Sequence, residues 1–276
     1  SWPIMQALRR VHNEGGLNGA QRLFFRSTKP LEELYDTESD PHELNNLAES
    51  PEHLEQFDLL RDAMDKWLSA SNDLGVVPET ELDRFVPARQ PSLTGPSGAK
   101  YTVSDTLEKA QIFGKPLRHW IGELNGDDVL RRYRAIATIR LCTGDINDLL
   151  TKAIEDFDVC IAYWAAIGSG GPHRHASYLS LMQSLERYST TIKLAAARGL
   201  LNTSSAHSTI AAQAALDRMT DPNIFVRLAA AQILELVGPM TEDIRAALTR
   251  AKDDKSDPRD YVADVARHAL GLPPQH

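Results

Sequence analysis

The second half of the chain repeats one spacing of hydrophobic residues. Within nine-residue stretches, apolar side chains recur at positions i, i+3, i+4, i+7 and i+8, which lie on one face of an α-helix. The stretches begin at residues 133, 159, 192, 226 and 262, so their spacing is 26 to 36 residues. A repeat of this length, with a helical face to bury in each copy, predicts an array of similar helical units.

A second helical segment precedes four of the five stretches, so each repeat is predicted to contain two helices. These segments are 146–154, 178–185, 209–219 and 244–251. Alanine stands at the centre of most stretches, as at Ala196 and Ala230, and lets neighbouring helices approach closely. Tyr163 is a bulky exception, and Arg140 and Gly199 also depart from the apolar stripe.

Aspartate and proline mark the starts of several repeat helices. Asp128, Asp221 and Asp257 each stand five residues before a stretch, and Pro222 and Pro258 follow two of them. Aspartate is a favoured N-cap residue, and proline is favoured at the first helical position. The sequence therefore predicts that helices begin at these sites.

The two-helix repeat resembles HEAT repeats of the short bacterial type. Residues 163–168, Tyr-Trp-Ala-Ala-Ile-Gly, are similar to a segment common in sulfatases that carry HEAT-like tails. The resemblance implies that residues 126–276 form a HEAT-like α-solenoid, in which each pair of helices is stabilised mainly by its neighbours. We therefore expect a mainly α protein.

The first part of the chain predicts shorter elements. A helical period runs to about Val11 and is broken at Gly15 and Gly16. Leu34 and Tyr35 predict a short strand that leads into a turn capped by Asp40. An amphipathic helix follows, and its apolar residues are Leu54, Phe57, Leu60, Met64, Trp67 and Leu68. Prolines and glycines without a sustained period predict a linker over 86–125.

The stretch 29–48 resembles the motif with which many bacterial sulfatases and the heparan N-sulfatase group end their hydrolase domain. The residues that carry the resemblance are Pro30, Glu33, Leu34, Tyr35, Asp36, Asp40, Pro41, Glu43, Asn46, Leu47 and Ala48. It implies that residues 1–85 are a small α+β remnant of a sulfatase C-terminal subdomain. The predicted organisation is therefore 1–85, a linker at 86–125, and helical repeats at 126–276.

The same resemblance implies a parent enzyme that hydrolyses sulfate esters or N-sulfates with calcium and formylglycine. That family makes formylglycine from the Cys or Ser of a Cys/Ser-x-Pro-x-Arg motif. Neither Cys142, followed by Thr-Gly-Asp, nor Cys160, followed by Ile-Ala-Tyr, matches it. We expect calcium and formylglycine in a catalytic domain outside this sequence, and we assign no catalytic, cofactor-binding or metal-binding residue to this chain.

The expected partners follow from the same resemblance. They are the missing N-terminal sulfatase domain and, on the helical repeats, a sulfated glycan or a protein. The resemblance also implies a periplasmic or secreted parent protein. A net charge of -8 and a pI near 5.6 argue against nucleic-acid binding, which needs clustered basic residues. The sequence contains no apolar run of the length that a membrane helix needs.

Two other interpretations of the sequence stay open, a metal site at a pair of histidines and a stand-alone scaffold. His173 and His175 form a His-x-His pair, although a catalytic zinc site usually has three protein ligands and no third is assigned. The acidic residues of 29–48 are interpreted as a solvated face and as turn caps. The alternative to a sulfatase segment is a stand-alone interaction scaffold made of HEAT repeats.

Overall fold

The structure is a computed structural model that describes residues 3–26, 29–84, 100–102, 110–170, 178–187, 189–256 and 259–273. The chain divides into two compact units, Ser1–Asp73 and Leu74–His276. No helix within the described ranges combines the length and the apolar character that crossing a membrane requires.

The first unit is built from three helices joined by irregular segments. Helix α1 is Pro3–Asn13, α2 is Gly19–Leu23 and α3 is Leu54–Ala70. The helix predicted up to Val11 and the amphipathic helix are both present. Gly15 follows α1 with φ of +74°, a left-handed conformation that glycine adopts without steric cost. Asn72 ends the turn after α3 in a similar conformation, with φ of +49°.

The strand predicted at Leu34 and Tyr35 is wrong, because this segment is irregular and pairs with no strand among the described residues. The N–H of Leu34 donates to the side-chain Oδ1 of Asn46 at 2.9 Å, and the N–H of Leu47 donates to the carbonyl of Leu34 at 2.8 Å. The backbone groups of Leu34 are thus paired with the Asn46 side chain and the Leu47 N–H and not with a neighbouring strand. Asp40 does cap the following turn, since its carboxylate accepts the N–H groups of Leu44 and Asn45.

The described parts of the predicted linker, 100–102 and 110–125, are folded within the second unit. Strands β1 (Gln111–Ile112) and β2 (Lys115–Pro116) form an antiparallel hairpin. Its two turn residues, Phe113 and Gly114, both have positive φ, as a tight hairpin of this hand requires. Helix α4 (Leu117–Leu124) follows, and four of its apolar residues are buried.

Nine α-helices follow α4 in the described part of the second unit, and they match both helical segments of the predicted repeats. They are α5 (Val129–Ile139), α6 (Asn147–Ile154), α7 (Val159–Ser169), α8 (Tyr178–Ser184), α9 (Thr190–Thr203), α10 (Ser208–Leu216), α11 (Ile224–Leu236), α12 (Glu242–Ala251) and α13 (Tyr261–Ala269). The five helices that carry the apolar stretches pack each against the next, in the order α5, α7, α9, α11, α13.

Side-chain caps define the starts of most of these helices. Asp128 caps α5 as predicted, and Asp158 and Ser189 cap α7 and α9. Helix α11 differs, because its N-cap is Asn223 and not Asp221. Asp221 instead accepts the N–H of Asn223, so the prediction that Pro222 occupies the first helical position is wrong. Asp257 and Pro258 lie outside the described residues.

The core of the second unit consists of two hydrophobic clusters that share helix α9. Ala196 and Leu200 belong to the cluster nearer the N-terminus, whereas Leu194 and Ala197 belong to the other. Helices α7 and α9 approach closely at Gly199, where an added Cβ atom would lie 2.7 Å from the carbonyl oxygen of Ala166. This glycine, which departs from the apolar stripe, is therefore required by packing.

Candidate functional site

The 29–48 stretch of the first unit is held in shape by two polar anchors. The Asn46 side chain accepts from Leu34 and donates to the carbonyl of Glu32 at 3.2 Å. Arg61 on α3 forms a two-bond ion pair with Glu32, with N–O distances of 2.7 and 2.9 Å. Glu32 is therefore an ion-pair residue and not part of a solvated face. The ion pair therefore ties the stretch to α3.

Helix α3 presents an apolar face to solvent. Leu60, Met64 and Trp67 are spaced at i, i+4 and i+7, and their exposures are 54%, 56% and 61%. Side chains at this spacing share one face of a helix. In the 29–48 stretch, Leu31 and Leu44 are also about half exposed. An amphipathic face is thus present as predicted, but it is not covered.

The first unit has almost no buried core of its own. Among its described residues, Leu17 is the only hydrophobic side chain that is buried, with 4% exposure. Helices α2 and α3 contain no buried residue. A unit of this kind gains little stability from burying apolar area, which is the main favourable contribution to folding.

The second unit contains a groove of about 430 Å³ on helices α7, α9 and α11. Its remaining wall is the segment 75–80, which is fixed to the helices by hydrogen bonds. Trp164 donates from Nε1 to the carbonyl of Val76 at 2.7 Å, and the hydroxyls of Thr191 and Thr80 are 2.8 Å apart. The groove is therefore formed by well-anchored parts of the chain.

Three aromatic side chains line this groove, namely Tyr163, Trp164 and Phe225. The rings of Tyr163 and Trp164 meet edge to face with centroids 5.1 Å apart. The guanidinium of Arg140 lies 4.9 Å from the centre of the Trp164 ring. Tyr163 and Arg140, two of the departures from the helical stripe, thus belong to the groove and its support.

Five polar side chains line the groove without a hydrogen bond or ion pair to any residue that the structure describes. They are Glu79, Tyr163, Arg198, Asn202 and Gln232. Burial raises the pKa of the Tyr163 hydroxyl, and the negative charge of Glu79 raises that pKa further. The charges of Arg140 and Arg198 act in the opposite direction. The hydroxyl is therefore neutral near pH 7 and can act as a hydrogen-bond donor.

The two cysteines, neither of which matches the formylglycine motif, are part of the packed helical unit. Cys142 and Cys160 are both buried in the helical core, and neither is part of a disulfide bond. Within the described ranges, no three His, Cys, Asp or Glu side chains are grouped so that they could hold a metal ion. The described residues thus offer no cluster for calcium, and neither cysteine stands in the formylglycine motif. His173 and His175 lie outside the described residues.

Comparison with known proteins gives one partial relationship. No family model matches the chain. A stretch of 80 residues, or 29% of the chain, is 49% identical to an ulvan-active sulfatase of Formosa agariphila. This match spans only 13% of that protein's length. The chain therefore contains a sulfatase-related segment, and its described residues are mainly helical.

Proposed function

We propose that this chain is the C-terminal part of a sulfatase and that its first unit completes a catalytic domain outside the sequence. The main support is that the first unit exposes an apolar helix face, whereas its described residues bury almost no hydrophobic side chain. Large exposed apolar patches usually mark interaction surfaces. The 49% identity of an 80-residue stretch to a sulfatase supports a sulfatase catalytic domain as the partner that would cover this face.

The role assigned to the first unit is structural. Leu60, Met64 and Trp67 would pack against the catalytic domain, and the Arg61–Glu32 ion pair would hold the 29–48 stretch beside it. Catalysis, by formylglycine and calcium, would then belong wholly to the other domain. Hydrolysis of sulfate esters or N-sulfates is accordingly proposed for the parent enzyme, and the chain alone is expected not to release sulfate.

We assign the second unit to a HEAT-like solenoid that offers an interaction surface. The support is the consecutive packing of α5, α7, α9, α11 and α13, with the paired helices α6, α8, α10 and α12 between them in sequence. Such arrays are stabilised by contacts between neighbouring repeats and present extended surfaces.

A complementation experiment tests the structural role. The ulvan-active sulfatase is prepared without the 80 residues that match this chain, and the chain is added in trans. We expect the two to co-elute in size-exclusion chromatography and the chain to increase sulfate release from ulvan. The triple variant Leu60→Gln, Met64→Gln, Trp67→Gln should lose both effects, because it removes the apolar face without removing buried side chains.

Leu236→Gln is the matched control, since Leu236 is a 52% exposed leucine on α11 of the other unit. It should behave like the wild type. Association that survives the triple substitution, or no association of the wild-type chain, would contradict the proposal.

The stand-alone scaffold is the second candidate, and it is favoured by the extensive core of the helical unit. The reading frame that encodes the chain distinguishes the sulfatase from the stand-alone scaffold. A Cys/Ser-x-Pro-x-Arg motif encoded in frame upstream of Ser1 supports the sulfatase, whereas a start codon near Ser1 supports the scaffold.

A further inference from the structure

The groove on α7, α9 and α11 has the size and the mixed lining of a ligand site. Its volume of about 430 Å³ is within the usual range for small-molecule pockets of roughly 300–1,000 Å³. Such sites combine apolar walls with a few well-placed polar groups. Here the apolar part is aromatic, and the polar part includes a cation, a carboxylate and two amides.

Contacts within the chain hold the aromatic wall in position. Trp164 is held by its hydrogen bond to Val76, by the guanidinium of Arg140 and by an edge-to-face contact with Tyr163. Because the ring is already ordered, a ligand that packs on this wall loses little of its binding energy to the ordering of side chains. A flat aromatic surface suits the apolar faces of sugar rings.

The polar groups of the groove are complementary to a ligand that carries both hydroxyls and a negative charge. Asn202, Gln232 and Glu79 offer amide donors and amide or carboxylate acceptors, which match the alternating donor and acceptor needs of hydroxyl groups. Arg198 offers a guanidinium, whose planar donors fit sulfate and carboxylate groups. None of these side chains has a hydrogen bond or ion pair to another described residue.

We propose that this groove binds an anionic saccharide, with Arg198 pairing with its sulfate or carboxylate and the aromatic wall packing on its ring. The ligand class deepens the interaction role proposed for the second unit. It does not depend on the first unit, because every lining residue belongs to the second. An acidic peptide could also pair with Arg198, but the aromatic wall and the two amides favour the saccharide.

Isothermal titration of the full chain tests the inference. The probes are glucose 6-sulfate, glucuronate, glucose, inorganic sulfate and a short acidic peptide. We expect glucose 6-sulfate or glucuronate to bind at least about tenfold more tightly than glucose and inorganic sulfate, because only the charged sugars use both the guanidinium and the ring wall. The preferred charged sugar identifies whether sulfate or carboxylate is the natural anion.

The variant Arg198→Gln should weaken charged-sugar binding by about tenfold or more and leave the weak binding of glucose unchanged. Its thermal unfolding should match the wild type, because Arg198 makes no hydrogen bond or ion pair within the described chain. Arg245→Gln is the matched control, since Arg245 is an exposed arginine of α12 outside the groove, and it should bind like the wild type.

Three results would overturn the inference. They are no heat of binding with either charged sugar at millimolar concentration, equal binding by wild type and Arg198→Gln, and binding of the peptide without binding of any sugar. A failed complementation by the first unit leaves these outcomes unaffected, so the two proposals fail separately.

Discussion

At the scale of single residues, buried arginines connect successive turns of the helical unit. Arg227 is 7% exposed, and its guanidinium lies 3.1 Å from the carboxylate of Asp254. It also donates to the carbonyl of Asp221 at 2.7 Å and to the hydroxyl of Ser256. A buried charge with this many partners fixes the geometry of the turns around it, whereas an unpaired one would be strongly destabilising.

The first residue-scale prediction concerns stability in acid. Hydrogen bonds from Ser256, followed by the charge of Arg227, lower the pKa of Asp254 below its ordinary value of 3.8. A lowered folded-state pKa stabilises the fold above the unfolded value, and this contribution is lost as the pH falls through the folded-state value. Asp254→Asn should therefore reduce the free energy of unfolding at pH 7, and its difference from wild type should shrink below about pH 3.8.

Urea unfolding at several pH values measures this difference. Asp127→Asn serves as the control, because Asp127 is an exposed aspartate in the turn before α5, and it should change stability little at any pH. A pH-independent loss for Asp254→Asn would show that its carboxylate charge is not the stabilising feature.

The second residue-scale prediction concerns the close contact of α7 and α9. In Gly199→Ala the new methyl group would meet the Ala166 carbonyl at 2.7 Å, so backbone must move. We expect the free energy of unfolding to fall by about 1–3 kcal/mol. Gly122→Ala, on α4, has open space around its Cβ position and should instead stabilise the protein by about 0.5–1 kcal/mol. Equal effects of the two substitutions in chemical denaturation would refute the packing argument.

At the scale of elements, one aspartate links two neighbouring helices of the array. Asp158 caps α7 by accepting the N–H of Cys160 at 3.0 Å. The same carboxylate accepts the Tyr133 hydroxyl of α5 at 2.9 Å and lies 3.7 Å from the guanidinium of Arg132. Because Arg132 and Tyr133 are both buried, this one side chain satisfies polar groups of both helices.

The element-scale prediction is that Asp158→Ala destabilises the protein by about 2–4 kcal/mol. The loss combines a helix cap with buried polar groups that lose a partner. Asp158→Asn should lose less, because an asparagine side chain still caps the helix. Thermal unfolding followed by circular dichroism compares the two variants, and identical melting temperatures would contradict this division of roles.

At the scale of the whole molecule, the two units differ in how much of their surface they bury. The second unit has two clusters of buried side chains joined through α9, whereas the described part of the first has a single buried hydrophobic residue, Leu17. Hydrophobic burial must offset the loss of conformational entropy on folding. The units should therefore differ in their ability to fold independently.

The whole-molecule prediction concerns two fragments. Residues 74–276 should remain helical and unfold cooperatively without the first unit. Residues 1–73 alone should show little cooperative unfolding, because almost no apolar area is buried there. Circular dichroism melts of both fragments measure this. A sharp transition for 1–73 would contradict the proposal that it completes another domain.

Much of the helical unit could be predicted from the sequence alone, because the helices depend on the spacing of residues that are close together in the chain. Apolar residues at i, i+3, i+4, i+7 and i+8 can be buried together only on a helix, so the stripes at 133, 159, 192, 226 and 262 predict their helices. The stripe of α4 at Leu117, Trp120, Ile121 and Leu124 follows the same rule, but it lies in a segment whose prolines and glycines favoured a linker. The resemblance of 29–48 to sulfatases likewise needed no structure.

Only the tertiary structure decided what the exceptions to these patterns do. Gly199 and Tyr163 interrupt their stripes, and nothing nearby in sequence explains that one lies at a helix crossing and the other lines a groove. The segment 75–80 forms the wall of that groove through hydrogen bonds to helices more than 80 residues away. The sequence determined the helices and the sulfatase-related segment, because these depend on local spacing and motif. The groove and the uncovered face of α3 depend on which surfaces meet, and this follows from long-range packing.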